Sequence, residues 1–287
     1  MFKNLVIRAV SGAVFVALVI SSILVDSPIY FGVLFLLVAL LGLHEFYALA
    51  GKMSQVSLSL VLPMGAGVSF FVASCLSASR INTVRDWSLL FWLLAILAVF
   101  SIFVLELFRK QENPIKNIAV SLMGQIYVVL PICAMVLLKT LSPILLLAFF
   151  IIIWASDTGA YLSGMCFGRH KMFERVSPKK TWEGFCGGFL SAMLMAYIFG
   201  RYATGCVGVR HFPFWWWFVF AAIVFVLGTL GDLIESLFKR TLNVKDSGSI
   251  MPGHGGILDR VDSALLAAPI ATIFAVCSAI YPIYLME

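Results

Sequence analysis

Runs of apolar residues, most of them close to twenty long, recur along this chain and are separated by short polar or charged stretches. Nine can be drawn, at roughly 9–25, 29–49, 56–78, 87–108, 117–138, 141–161, 183–203, 213–235 and 263–285. A helix of about 20 apolar residues, rising about 1.5 Å each, crosses the hydrocarbon core of a bilayer. Within that core only a helix satisfies its own backbone groups segment by segment. The pattern therefore predicts an all-α polytopic membrane protein with about nine transmembrane helices. Two runs are less regular than the rest. Pro63, Gly65 and Gly67 interrupt the third, and the sixth follows the fifth closely through Ser142-Pro143.

Composition narrows the class. Of 287 residues, 62% are hydrophobic and 12% charged, and mean hydropathy is +1.03. An average soluble domain is about 45–50% apolar and about 25% charged. A water-soluble globule and a disordered chain are both excluded. Twenty Lys and Arg against fourteen Asp and Glu leave a net charge of +6. In a membrane chain such an excess reports topology and anionic lipid rather than nucleic acid.

The basic residues also test the number of spans. With the N-terminus placed in the cytoplasm, fifteen fall inside: Lys3, Arg8, Lys52, Arg109, Lys110, Lys116, Arg169, Lys171, Arg175, Lys179, Lys180, Lys239, Arg240, Lys245 and Arg260. Five fall outside: Arg80, Arg85, Lys139, Arg201 and Arg210. This bias supports nine spans with the N-terminus cytoplasmic and the C-terminus outside. No small-x-small cleavage site followed by a polar chain succeeds the first run, which reads as a retained span. The six cysteines form no C-x-x-C pair and mostly lie in apolar stretches, so neither a disulfide framework nor a zinc site is expected.

Polar residues divide the chain unevenly. Residues 1–140, about five helices, read as transmembrane scaffold. Residues 141–287 read as the catalytic transmembrane region, with two loops, 162–182 and 236–262, that concentrate charge, Gly and Pro on the cytoplasmic side.

Four clusters in this second half carry candidate chemistry. Asp157 lies near the end of an apolar run, in Trp154-Ala155-Ser156-Asp157-Thr158-Gly159-Ala160-Tyr161. It either binds a cation or a loop Lys or Arg, or it is an interfacial aspartate capping a helix start or turn. Ser177-Pro178-Lys179-Lys180-Thr181-Trp182-Glu183-Gly184 reads as a turn that starts a helix. Two lysines beside free helix N–H groups make an anion site, unless they are an ordinary positive-inside flank, which does not call for Glu183. Further on, Asp232 and Glu235 share a helix face, and Glu235 and Lys239 are four apart. Either Lys239 or a metal ion lies between the two acids.

The last cluster runs from Lys245-Asp246 through Met251-Pro252-Gly253-His254-Gly255-Gly256-Ile257-Leu258-Asp259-Arg260-Val261-Asp262. Its glycines let backbone turn sharply and come close to a ligand. Asp259 and Asp262 lie on one helix face near its start. Acids at cytoplasmic helix ends with basic loops beside them suit Mg²⁺ and polyphosphate. His254 is either catalytic or a structural histidine hydrogen-bonded in the loop.

The run from Ser236 to Asp262 resembles the signature of the phosphatidate cytidylyltransferases, also called CDP-diacylglycerol synthases. Asp157-Thr158-Gly159-Ala160-Tyr161, Ser177 to Gly184 and Gly231-Asp232 with Glu235-Ser236 are similar to motifs of the same family, so the likeness covers about residues 154–262. It implies an integral enzyme of a bacterial-type inner (cytoplasmic) membrane, with its active site facing the cytoplasm. The enzyme would transfer CMP from CTP to phosphatidic acid, with Mg²⁺ and room for a second cation. It implies that Asp232, Asp259 and Asp262 hold metal and act in catalysis with Lys239, Arg240 and His254. Ser177, Lys179, Lys180, Thr181, Glu183, Lys245, Asp246, Arg260 and Asp157 would bind substrate. It also implies a homodimer, for which the small-residue pairs Gly164/Gly168 and Gly184/Gly188 permit close helix contacts. Three rivals are weaker. A transporter usually shows an internal repeat, a CDP-alcohol phosphotransferase needs a D-G-x2-A-R string that is absent, and a scaffold does not need the glycines and acids of 251–262.

Overall fold

The structure, a computed structural model, describes every residue except Met1, Arg80, Thr204, Val207, Arg210, His211, Ser249, residues 251–254 and residues 285–287; at 2–9 and 281–284 it describes the backbone alone. Its helices are α1 (Phe2–Leu24), α2 (Pro28–Ala50), α3 (Val61–Ser77), α4 (Asn82–Phe108), α5 (Pro114–Gly124), α6 (Leu130–Leu141), α7 (Pro143–Phe167), α8 (Trp182–Tyr202), α9 (Phe214–Thr241) and α10 (Leu258–Tyr284). A π turn, Gln125–Val129, joins α5 to α6. Pro131 follows it, and with no N–H of its own it favours this local widening of the helix. Among the described residues each of the nine apolar runs lies mainly on helix, the third only from Val61 onward. Among the described residues seven helical stretches are long and apolar enough to cross a membrane, and two more, Val10–Leu24 and Val61–Ser77, are shorter. The protein is an integral, multi-pass membrane protein.

The architecture is all-α as expected, with one short hairpin added. Strands β1 (Lys171–Phe173) and β2 (Ser177–Thr181) pair antiparallel between α7 and α8. The loops are also shorter than expected. α7 continues to Phe167, α9 to Thr241, and α10 begins at Leu258, because polar helical turns extend beyond the apolar runs.

The chain forms two compact units. The first comprises residues 1–136 and 241–261, the second 137–240 and 262–287. In the first, α3 and α4 pack along one another, and α2 packs against α1, α3, α5 and the π turn. Tyr47 of α2 lies over Gly124, donates to the Ser121 carbonyl at 2.7 Å and accepts from Gln125 Nε2 at 3.0 Å. At the link from α4 to α5, buried Glu106 pairs with Arg109 and accepts from Asn117 Nδ2 at 3.0 Å.

In the second unit α7 and α8 approach through small residues. A Cβ on Gly184 would stand 2.9 Å from the Ala160 carbonyl oxygen, and one on Gly188 would stand 3.0 Å from that of Ser156. The glycine pairs that suggested contact between copies are therefore used inside the chain. Trp216 and Phe220 of α9 stack with each other, and Trp216 also stacks on Phe212 and Phe274.

Candidate active site

α9 carries the centre of the site. Glu235 precedes Lys239 by four residues, the order that suits an intrahelical pair. Lys239 Nζ lies 2.5 Å from Glu235 Oε2, and Glu235 is fully buried. One turn earlier, Asp232 Oδ2 lies 2.7 Å from Lys180 Nζ, which also donates to the Thr229 carbonyl at 3.3 Å. Ser236 Oγ donates to Asp232 Oδ1 at 3.3 Å. α10 supplies Asp262, whose Oδ1 accepts the Ser263 N–H at 2.6 Å. One carboxylate oxygen from each of Asp232, Glu235 and Asp262 lies within 4.8 Å of the others.

This meeting depends on glycine. A Cβ on Gly231 would stand 2.6 Å from the Asp262 carbonyl oxygen and 3.2 Å from Ser263 Cα. Without a side chain there, α9 and α10 close to the distance at which their acids share one space. Three carboxylates then face two ammonium groups in a largely buried setting. Carboxylate oxygen is the donor Mg²⁺ takes, so the set fits a divalent cation.

The hairpin delivers Lys180. Neighbouring residues on a strand point to opposite faces, so Lys179 is exposed while Lys180 turns to Asp232. Ser177 is half-buried at the start of β2. Thr181 caps α8, its Oγ1 accepting the Gly184 N–H at 3.1 Å. Glu183 accepts the N–H groups of Arg169 and His170 at 3.1 and 3.2 Å and lies 2.5 Å from His170 Nδ1. The expected turn at Ser177–Thr181 is thus a strand that feeds a capped helix. Arg240 Nε donates to the Val176 carbonyl at 3.3 Å, tying the end of α9 to the same hairpin. Asp157 sits well inside α7, so it does not cap a helix start or turn.

In the first unit, Lys245, Asp246 and Arg260 are exposed. Asp259 Oδ2 accepts from Ser247 N, Ser247 Oγ and Gly256 N at 3.0, 2.9 and 2.8 Å. Gly255 takes a φ of +82°, and a Cβ there would stand 2.6 Å from Asp259 Oδ2. His254 lies outside the described residues. The structure thus brings Lys180, Asp232, Glu235, Lys239 and Asp262 together, while Asp259 anchors its own loop. The spacing of Asp232 and Glu235 leaves a metal ion between them open, but the ligand set implied by the resemblance omits Glu235. Sequence reasoning missed Glu45 altogether, although an acid inside an apolar run was the available signal.

Comparison with known proteins adds an independent finding. The model of the cytidylyltransferase family matches residues 6–278. The chain is 33% identical, over 93% of its length and 97% of the relative's, to a protein of Haemophilus influenzae named phosphatidate cytidylyltransferase. Shorter matches link it to proteins of the same name. One, in Bacillus subtilis, is 44% identical over 42% of each chain; another, in Staphylococcus epidermidis, is 42% identical over 44% of this chain and 47% of the relative.

Proposed function

This chain belongs to the cytidylyltransferase family, and from that premise we propose that it transfers CMP from CTP to phosphatidic acid in phospholipid biosynthesis. The products are CDP-diacylglycerol and pyrophosphate. The observation that carries this reading is the family match along residues 6–278, a stretch that includes the Asp232–Glu235–Asp262 cluster and both its lysines.

Both substrates are anionic. The phosphate of phosphatidic acid is already ionised at neutral pH, so it is its own nucleophile and no general base is required. Its oxygen attacks the α-phosphorus of CTP in line, the bond to the bridging oxygen breaks, and pyrophosphate leaves. The protein's work is positioning and charge neutralisation. Asp232, Glu235 and Asp262 would hold Mg²⁺, and Asp259 is kept as a proposed ligand. Bound Mg²⁺ would neutralise charge on the phosphoryl oxygens, and a second cation would extend this to the leaving oxygen.

Lys180 and Lys239 stand beside the acids and would contact phosphate, with Arg240, Lys245 and Arg260; of the Lys179–Lys180 pair it is Lys180 that carries this role, since Lys179 lies on the opposite strand face. Ser177, Thr181, Glu183, Asp157 and Asp246 shape the substrate site, and His254 joins the catalytic set. The same reading puts residues 1–140 in a scaffold role and chemistry in 141–287. It has nine spans in a bacterial-type inner membrane, the N-terminus and both loops in the cytoplasm, the C-terminus outside, and two copies paired through surfaces other than the α7–α8 glycines.

Purified protein in lipid discs, supplied with phosphatidic acid and CTP labelled at the α-phosphorus, should move label into extractable lipid only when Mg²⁺ is present. No labelled lipid, or lipid translocation without CTP consumption, overturns the reading.

A further inference from the structure

α2 contains one acid, Glu45, and it is 3% exposed. A carboxylate inside an apolar span is costly unless it is compensated. The compensation comes from far along the chain. Glu45 Oε1 accepts the Ile257 N–H at 3.1 Å, Oε2 accepts the Leu258 N–H at 2.9 Å, and Ser247 Oγ lies 3.2 Å from Oε2. α10 begins at these residues. The first N–H groups of a helix have no partner within it, and they form the positive end of its dipole. Ile257 has no side-chain oxygen with which to cap that end. Glu45 does so instead, from 212 residues away.

The loop is shaped to admit this carboxylate. A Cβ on Gly248 would stand 2.7 Å from Glu45 Cδ, and one on Gly256 would stand 2.6 Å from the same atom. These two glycines make room for a side chain of the protein itself. The Ser247 hydroxyl that reaches Glu45 also lies 2.9 Å from Asp259 Oδ2. Its single proton serves one carboxylate at a time, so Glu45, Ser247 and Asp259 form one connected group.

We infer that Glu45 is a positioning residue of the transfer reaction: it fixes the loop around Ser247 and Gly256 and the start of α10, and through Ser247 it orients the carboxylate of Asp259. The inference rests on the cytidylyltransferase reading. It places a determinant of the chemistry in the N-terminal helices expected to be scaffold.

Glu45→Gln keeps the size of the side chain but turns one acceptor into an NH₂ that faces an N–H donor. The variant should lose about tenfold or more in kcat while KM for phosphatidic acid stays within about twofold. The Mg²⁺ concentration giving half-maximal rate should rise, and the amides of Ile257 and Leu258 should exchange with deuterium about tenfold faster. Glu45→Asp, which retains both acceptor oxygens, should recover part of kcat. Ser247→Ala probes the same group without touching α2 and should be less than additive with Glu45→Gln.

Wild-type kcat and Mg²⁺ dependence in Glu45→Gln overturns the inference, as does the same result in Ser247→Ala if the first variant does not fold. A loss confined to yield and thermal stability, with turnover per folded molecule unchanged, also overturns it. Wild-type protein that makes no CDP-lipid sinks the functional reading instead, and amide exchange still decides whether Glu45 holds the loop.

Discussion

Glu235→Gln separates the two explanations of the acid cluster, an internal ion pair with Lys239 and a cation site. The substitution preserves shape and removes one charge. At an effective dielectric constant of about 20, Lys239 at 2.5 Å attracts Glu235 by about 7 kcal/mol. Asp232 and Asp262, each with an oxygen within 4.8 Å, repel it by about 3.5 kcal/mol apiece on the same scale. The opposing contributions nearly cancel. In the absence of divalent cation, neutralising Glu235 should therefore leave stability unchanged or raise it, since the substitution also removes the cost of burying the charge. A simple buried pair would lose about 3–5 kcal/mol when one partner is removed.

Adding Mg²⁺ reverses the comparison. At a concentration about a hundredfold above Kd, a site that binds only the folded state contributes about 2.7 kcal/mol, and the variant forfeits most of it. The assay is thermal unfolding in lipid discs over a Mg²⁺ series, paired with CDP-lipid formation. Wild type should show a Mg²⁺-dependent rise in Tm, and Glu235→Gln a much smaller rise with transfer reduced by orders of magnitude. Destabilisation of 3–5 kcal/mol without Mg²⁺, or an undiminished Mg²⁺ response, refutes the reasoning.

Three further outcomes are expected. Lys180→Gln should lower kcat/KM by about ten- to a hundredfold, the value of a charge-assisted contact; Lys179→Gln should stay within about twofold, and equal effects in steady-state kinetics would contradict the assignment by strand face. Gly231→Val should abolish both activity and the Mg²⁺ response by forcing α9 from α10, whereas Gly228→Ala, whose Cβ would meet Ser263 Cβ at an ordinary 3.6 Å, should keep both. Single cysteines at Glu174 and Lys245, in a chain without its native cysteines, should react with impermeant reagent only from the cytoplasmic side of intact cells; reaction from outside contradicts the proposed orientation.

Run length made the helices legible because hydropathy records what faces lipid. It misplaced their ends for the same reason. From Asp232 to Thr241 and from Leu258 to Asp262 the chain is helical but polar, held by contacts such as Lys239 with Glu235, which hydropathy scores against a span. The hairpin escaped because strands of three and five residues show too little alternation to detect. Spacing alone put Asp232 and Glu235 on one face. Their meeting with Asp262 required Gly231, which looks ordinary in sequence. Glu45 stood out as an acid inside an apolar run, but its partners were illegible because they are backbone N–H groups, which carry no residue signature.

The Glu45 cap also sets a timetable for biogenesis. α2 is made well before the amides that satisfy its carboxylate, which are synthesised 212 residues later. At about 5–20 residues per second this interval lasts on the order of ten to forty seconds. Until then the Glu45 carboxylate lacks the N–H groups that satisfy it and must stay hydrated, which holds the end of α2 at water. A chain truncated before Ser247 never completes the cap and keeps a carboxylate in α2 without its partners.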